Sequence, residues 1–134
     1  MEQYRAMLEQ MNQMPAFIPW LGITVLEMKA GYCKGEMLVR SELNNPLGMV
    51  HGGVIFSLAD TVGGLAVIAH DCHENLVTLS SNINYLRPAI HTPKLIAEAR
   101  AVKHGSKVAV YTVDIMDAEG VLIASTTTSY FMRS

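Results

Sequence analysis

One carboxylate in a long apolar stretch is the first group in this sequence that could do chemistry. Asp60 lies within the segment 54–69, which otherwise consists almost wholly of apolar and small residues. Burying an unpaired ionised carboxylate is expensive or forces a pKa shift. Such groups concentrate at functional sites, where they act as bases, acids or nucleophiles. Asp60 is therefore the first candidate catalytic residue.

A His-Gly-Gly sequence, His51, Gly52 and Gly53, stands where this apolar stretch begins and is predicted to open a helix. The first N–H groups of a helix have no acceptor within it and lie at the positive end of its dipole. Two glycines let a carbonyl oxygen approach these amides without a Cβ in the way, as stabilising a tetrahedral oxyanion requires. The alternative is that the glycines only tighten the turn into the helix.

The spacing between these two features is itself informative. Asp60 follows His51 by nine residues, which is about 13 Å along a helix at about 1.5 Å per residue. One chain cannot place both groups on the same carbonyl. Two antiparallel helices related by a two-fold axis would set the helix start of one subunit against Asp60 of the other. The spacing therefore predicts two identical composite sites in a homodimer.

The elements that must position these groups predict an α+β fold of one domain over residues 1–134, with a core at about 15–132. Residues 2–14 show the apolar stripe of a short helix, which Pro15 and Pro19 end. Stretches at 22–26 and 34–39 predict a hairpin, the apolar helix runs from about 51 to 69, and strands follow at 76–87, 94–103, 107–116 and 121–132. Strands and helices do not alternate, so we expect an antiparallel sheet of about six strands wrapped around one central helix.

The central helix also indicates a second subunit. It is apolar nearly all the way round, whereas one sheet covers only one face. Gly63 and Gly64 lie in its middle, where each costs about 1 kcal/mol relative to alanine. Close approach by the backbone of a partner could offset that cost. We therefore predict an obligate dimer.

Composition excludes several classes of partner. The formal charge of −2 and the absence of a Lys/Arg run argue against nucleic acid or an anionic membrane. The longest apolar run, 54–69, is shorter than the roughly 20 residues that span a bilayer, and no signal peptide pattern precedes it. Cys33 and Cys72 lack a Cys-x-x-Cys spacing and are typical of reduced thiols. We expect a soluble, cytoplasmic protein.

Other candidate chemistry is set aside. Residues 70–73 (His-Asp-Cys-His) include zinc-ligand types, but their spacing matches no recognised zinc site, so we expect no metal. We expect no thiol mechanism from either cysteine. His91 and His104 stand at loop breaks, where we expect both to be solvated.

The candidate residues resemble a known family when they are taken together. Asn45, the His-Gly-Gly sequence and Leu58-Ala59-Asp60 are similar to the hotdog-fold acyl-CoA thioesterases of the phenylacetate-pathway (PaaI-like) type. The stretches at 83–89, 104–110 and 123–128 resemble the same family, and the resemblance covers about residues 15–132. It implies a hotdog fold, in which the sheet wraps around the central helix.

The resemblance also implies roles for the site residues. The Gly52 N–H would polarise the thioester carbonyl, with His51 and Asn45 orienting it or fixing the loop. Asp60 of the facing subunit would act on water as a general base, or attack as a nucleophile. Thr78 matches a position that holds the water or the carboxylate. The implied substrate-binding residues are Gly53, Arg87, Pro88, Gly105, Ser106 and Lys107.

The implied activity is hydrolysis of acyl-CoA thioesters by a homodimer, with dimers pairing further into a tetramer. Coenzyme A enters as part of the substrate, and no cofactor is expected. Two alternatives stay open, namely a non-catalytic module that binds or senses acyl-CoA and an acyl-thioester hydratase or dehydratase on the same fold. The acyl group stays open too, because spacing does not tell which apolar side chains reach the cleft; the candidates are Met49, Phe56, Leu58, Tyr85 and the N-terminal methionines.

Overall fold

The structure, a computed structural model, describes residues 1–71 and 75–133. Two short helices, α1 (Arg5–Gln13) and α2 (Phe17–Leu21), precede the strands β1 (Ile23–Lys29) and β2 (Tyr32–Leu38). The long helix α3 (Gly52–Asp71) follows. The remaining strands are β3 (Leu76–Tyr85), β4 (Lys94–His104), β5 (Val108–Asp117) and β6 (Leu122–Met132). Short 3-10 turns lie at Glu2–Tyr4 and Ser41–Leu43.

The six strands form one antiparallel sheet in the order β1-β2-β4-β5-β6-β3. Helix α3 packs against the sheet and contacts every strand. Apolar side chains from both form a single buried cluster between them. The predicted α+β hotdog architecture, with a short N-terminal helix, is therefore confirmed. Strands β1 and β3 form the two edges of the sheet.

The last four strands lie within two residues of their predicted bounds, whereas helix α2 was not predicted. Pro19, which was expected only to end a helix, is the third residue of α2. Proline is tolerated in the first turn, because its missing N–H would have no acceptor there. Gly22, with a φ of 77°, ends α2 in the left-handed conformation that favours glycine.

The apolar surface of α3 is covered unevenly. The helix is long and apolar enough to cross a membrane by length and composition, but half of that stretch is buried inside the fold. The sheet covers one side, and the N-terminal segment, residues 1–21, reaches the opposite side near Gly64 and Ile68. Ser57, Asp60 and Thr61 remain only half-buried. The uncovered face of α3 is thus the face that bears the candidate carboxylate.

The two glycines in the middle of α3 have different surroundings. A Cβ on Gly63 would overlap the hydroxyl of Tyr130 and lie 3.2 Å from a methyl of Val113, both in the same chain. The expectation that a second subunit explains Gly63 is therefore wrong, since Tyr130 already requires the glycine. A Cβ on Gly64 would meet only Leu76 and Tyr130, at 3.9 and 4.0 Å. Among the residues that the structure describes, nothing prevents a Cβ there.

We predict that these neighbouring glycines respond oppositely to alanine. Gly63→Ala should lower the free energy of unfolding by about 1–3 kcal/mol, because the new methyl group overpacks the contact with Tyr130. Gly64→Ala, the matched control, should raise it by about 0.5–1 kcal/mol through better helix propensity. Urea denaturation at equal protein concentration measures both. Equal effects of the two substitutions would contradict the packing described for Gly63.

Candidate active site

The start of α3 is capped by the side chain of His51. Its Nδ1 accepts a hydrogen bond from the Gly53 N–H at 2.8 Å. Its carbonyl oxygen accepts from the N–H groups of Val54 (2.9 Å) and Ile55 (3.2 Å). Because Nδ1 is the acceptor, a neutral imidazole must carry its proton on Nε2. A Cβ on Gly53 would lie 3.0 Å from Nδ1, so the glycine makes room for the capping ring.

This capping leaves one N–H of the first turn available. The amides of Gly53, Val54 and Ile55 are all bonded to His51. Among the residues that the structure describes, the Gly52 N–H has no acceptor. It lies at the positive end of the α3 dipole and is the amide that could donate to a bound carbonyl oxygen. The geometry thus distinguishes Gly52 from Gly53.

The loop before α3 is held by Asn45. Its Oδ1 accepts from the N–H groups of Leu47 (2.9 Å) and Met49 (3.2 Å), and its own N–H donates to the Met49 carbonyl at 2.7 Å. Gly48, with a φ of 81°, completes the turn. The His51 N–H in turn donates to the Leu43 carbonyl at 2.8 Å. Asn45 therefore fixes the loop that delivers His51 to the helix start.

A cavity of about 310 Å³ opens beside Gly52. Tyr85, at the end of β3, lines it and donates its hydroxyl to the Gly52 carbonyl at 2.7 Å. Burial raises the pKa of Tyr85, which keeps this hydroxyl protonated. Arg87 and Pro88, two predicted substrate-binding residues, line the same cavity with Asn45 and Met49.

Asp60 is held from two neighbouring strands. Its Oδ1 accepts a hydrogen bond from Thr78 Oγ1 on β3 at 2.8 Å. Its carbonyl oxygen accepts from the Tyr130 hydroxyl on β6 at 3.2 Å, and Thr78 and Tyr130 pair across the sheet. Burial, followed by the charge of Asp60, raises the pKa of Tyr130, which therefore stays a donor. The side chain of Asp60 is half-buried and partnered, which corrects the expectation of a buried, unpaired carboxylate.

A second cavity, of about 290 Å³, lies next to this carboxylate. Its polar end consists of Asp60, Thr61, Thr78 and the edge of Tyr130. Its remaining lining is apolar and comes from the N-terminal segment, α3 and β3, with Gly64 at its floor; the apolar residues are Met11, Ile18, Leu65, Ile68 and Leu76.

Within one chain the predicted site residues form two separate groups. Gly52 and Asp60 are eight residues apart on α3, which is about 12 Å. Arg87 donates to the Leu122 carbonyl at one end of β6, whereas the Lys107 carbonyl accepts from Met132 at the other end, about 30 Å away at about 3.3 Å per residue. Gly105, Ser106 and Lys107 thus lie far from Arg87 and Pro88.

His104 was expected to be solvated, and this expectation is wrong. Only 6% of its side chain is exposed, because Nδ1 lies 2.8 Å from the Tyr111 hydroxyl and Nε2 lies 3.1 Å from Asp71. The His70 ring stacks on it at 3.7 Å, nearly parallel. The sequence did not predict these contacts. Asp71 is 33 positions from His104, and Tyr111 lies across the hairpin between β4 and β5.

The ligand-type atoms of His70, Asp71 and His104 lie within 4.8 Å of one another. Two stacked, parallel imidazoles cannot both direct an in-plane nitrogen at one cation. In this conformation the cluster is a hydrogen-bonded support at the end of α3. Cys72 and His73, the other members of the run 70–73 that was set aside as a zinc site, lie outside the described residues. Burial raises the pKa of the Cys33 thiol to about 12, so this thiol is not a nucleophile near neutral pH.

Several residues that shape the site were missed or left undecided from sequence. Tyr85 stands in the stretch 83–89 that carries the family resemblance, and its aromatic hydroxyl beside the predicted site was the available signal. Tyr130 gave no signal, because its contact with Asp60 links residues 70 positions apart. Met11 is one of the N-terminal methionines that were candidates to reach the cleft, and it lines the cavity beside Asp60; Ile18, which the sequence did not single out, lines it too.

Comparisons with known proteins give a consistent result. The family model described as Thioesterase superfamily matches residues 47–124. A relative from Archaeoglobus fulgidus is 39% identical over 104 residues, which are 78% of this chain and 66% of that protein. The acyl-coenzyme A thioesterase PaaI of Escherichia coli is 31% identical over 111 residues, 78% of this chain and 73% of that protein.

Solved structures agree with the sequence relatives. The structure of the E. coli PaaI protein, from the phenylacetic acid degradation operon, superposes with a TM-score of 0.83 at 26% identity and covers 95% of this chain and 91% of that one. A Streptococcus mutans protein, solved bound to acetyl CoA, superposes with a TM-score of 0.79 at 27% identity, covering 84% and 90%.

The cap at the start of α3 can be tested by stability alone. His51→Ala removes the acceptor of the Gly53 N–H and should lower the free energy of unfolding by about 1 kcal/mol. His51→Asn, the matched control, keeps a side-chain acceptor suited to the N-cap position and should retain most of the stability. If chemical denaturation showed the same loss for both variants, the ring nitrogen would not be acting as a cap.

Proposed function

Because the chain belongs to the thioesterase superfamily and is a thioester hydrolase, we propose that it hydrolyses acyl-CoA to a free carboxylic acid and CoA. We propose that each site is built from two subunits. The observation that carries this proposal is that some N–H groups at the start of α3 are hydrogen-bonded to His51 and one is not. His51 occupies the amides of Gly53, Val54 and Ile55, so that, among the described residues, the Gly52 amide is the one of these first four that is left to receive a carbonyl oxygen.

Asp60 supplies the other half of the chemistry. Thr78 donates to Oδ1, which orients the carboxylate and leaves Oδ2 free to accept a proton from water. The water oxygen attacks the thioester carbon, and the Gly52 N–H of the facing subunit stabilises the resulting oxyanion. Collapse of the tetrahedral intermediate breaks the C–S bond, and the proton held by Asp60 passes to the leaving thiolate. Direct attack by Asp60, through an anhydride that water then hydrolyses, is the alternative route.

The two-chain site follows from the separation within one chain. About 12 Å of rigid helix keeps the Gly52 N–H from a carbonyl that Asp60 could serve. Strand β3 is an edge of the sheet next to Asp60, and it exposes the apolar side chains of Val77 and Leu79. An exposed apolar edge strand is a surface that favours pairing with another chain. We propose a homodimer through this face, with dimers pairing further into a tetramer.

The same two-subunit arrangement would bring the two separate groups of predicted CoA-binding residues close together. Arg87 and Pro88 lie at the Gly52 end of the chain, and the turn 105–107 lies beyond the Asp60 end. If Gly52 of one subunit faces Asp60 of the other, Arg87 of the first approaches Lys107 of the second. Both cations would then stand near one substrate, where they favour its phosphates. The proposal needs neither a metal nor a resident cofactor, and it suits a protein of the cytoplasm.

Asp60→Asn tests the chemistry. We expect it to abolish nearly all release of free thiol from a panel of short, medium, long and aromatic acyl-CoAs, while the amide still accepts from Thr78 and the fold stays intact. Circular dichroism and a thermal melt check the fold. Near-wild-type hydrolysis by this variant would refute the mechanism. Tight acyl-CoA binding without CoA release by the wild type would instead indicate a sensing module, and hydration of enoyl-CoA a hydratase.

Gly52→Pro tests the oxyanion donor. Proline is well tolerated at the first position of a helix, where it removes the N–H and adds a side-chain ring. We expect kcat to fall about 100–1000-fold. Gly52→Ala adds the same Cβ, 3.2 Å from the Tyr85 ring, but keeps the N–H, and it should retain most activity. Equal losses in both variants would assign the effect to the Tyr85 contact.

Mixing the two inactive variants tests the shared site within the same experiment. In a heterodimer of Asp60→Asn and Gly52→Pro chains, one site combines an intact Gly52 with an intact Asp60. Refolding an equal mixture should therefore restore about a quarter of wild-type activity, because about half of the dimers are mixed and each has one good site. No recovery, with mixed dimers shown by mass spectrometry, would place both groups of a site on one chain.

A further inference from the structure

The cavity beside Asp60 has the composition of a site for an apolar group. Asp60 is the one carboxylate among its ten lining residues, and none of the ten is Lys, Arg or His. The carboxylate and the Thr78 hydroxyl stand at one end, and Met11, Ile18 and Leu76 are among the apolar side chains that form the rest. A concave apolar site with a few polar groups at one end is the usual form of a small-molecule pocket.

The outer wall of this cavity comes from the N-terminal segment, which is fastened at both ends. Near its start, the buried Tyr4 donates its hydroxyl to the carbonyl of Ala69 at 3.0 Å. Near its end, the Arg40 guanidinium donates to the carbonyls of Trp20 (2.6 Å) and Leu21 (3.2 Å). Met11 and Ile18 lie between these attachments. The wall is therefore positioned by the fold and can limit what enters.

Gly64 lines the cavity, and its missing side chain leaves space there. A Cβ there would stand in ordinary contact with Leu76 and Tyr130, so packing does not demand a glycine. Glycine in mid-helix is nevertheless destabilising relative to alanine. Gly63 must be a glycine because of its contact with Tyr130. The effect of a glycine at residue 64 is instead to enlarge the cavity beside Asp60.

Charge decides which part of an acyl-CoA this cavity takes. Phosphates are disfavoured beside the Asp60 carboxylate, whereas the Gly52 cavity contains Arg87. We infer that the cavity beside Asp60 binds the acyl chain, and that Met11, Ile18 and Gly64 set the chain length. This inference rests on the proposed function, since it assigns the acyl end of the proposed substrate.

The cavity volume indicates the size of the acyl group. About 290 Å³ lies at the lower end of the roughly 300–1,000 Å³ typical of small-molecule pockets. This space suits an uncharged medium-chain acyl group or a phenyl ring on a short spacer. It does not suit an acyl group that ends in a second carboxylate, which would lie near Asp60 among apolar side chains.

The test measures binding of non-hydrolysable S-alkyl-CoA thioethers by calorimetry, with butyl, octyl and dodecyl chains. For the wild type we expect affinity to rise about fourfold for each added methylene up to octyl, and then to level off. A carboxy-terminated chain of octyl length should bind at least about tenfold more weakly than octyl, because its charge would be buried.

Two variants reduce the cavity from opposite sides. Met11→Trp and Gly64→Leu each place a larger side chain in the cavity lining, so the cavity becomes smaller. In each variant the octyl chain should therefore bind at most about tenfold better than butyl. Met14→Trp is the matched control, because Met14 belongs to the same segment, is 57% exposed and lies outside the cavity lining. It should show the chain-length dependence of the wild type.

The outcomes separate this inference from the proposed function. Chain-length dependence that is absent in the wild type, or unchanged in both Met11→Trp and Gly64→Leu, would overturn the inference. Hydrolysis of short acyl-CoAs with such a result would leave the proposed function intact. Conversely, length-dependent binding that both variants shorten, without hydrolysis of any acyl-CoA by the wild type, would support the acyl site and refute the proposed function.

Discussion

The contact between Tyr130 and α3 positions the half of the candidate site that contains Asp60. The Tyr130 hydroxyl occupies the space that a side chain at residue 63 would fill, and it donates to the Asp60 carbonyl. This contact fixes both the depth of the helix on the sheet and its rotation about its own axis. With Gly63 against the sheet, Asp60 must project toward the edge strand β3, where Thr78 meets it. The same rotation leaves Gly64 open beside the carboxylate.

A second constraint acts at the start of the helix and is purely local. Four N–H groups at a helix start need acceptors, and a side chain that satisfied all of them would leave nothing for a substrate. His51 bonds three of these amides through its ring and its carbonyl oxygen. The Asn45 turn and the Tyr85 hydroxyl hold the backbone on either side of the remaining one. The free Gly52 N–H is thus a product of the capping that surrounds it.

Local features of the sequence predicted most of the fold, whereas contacts between distant residues were not predictable. Strand alternation, the proline and glycine breaks and the apolar helix are local signals, and they placed Asp60, Gly52 and His51 on the correct elements. Thr78 was placed by family resemblance, and the structure sets it beside Asp60. The Gly63–Tyr130 contact has no local signal, so the glycine was attributed to a partner subunit. His104 stands at a chain break, and only its distant partners Asp71 and Tyr111 bury it.

The pair Gly63-Gly64 shows how one local feature can have two unrelated physical causes. Both glycines carry the same propensity penalty of about 1 kcal/mol in a helix interior, and periodicity alone cannot separate them. Gly63 offsets its penalty through dense packing against Tyr130 and Val113. Gly64 has no such compensation within residues 1–71 and 75–133, since a methyl group would fit there. The role in acyl binding that we infer for Gly64 would explain why stability is forgone at this position, beside a carboxylate and an apolar cavity.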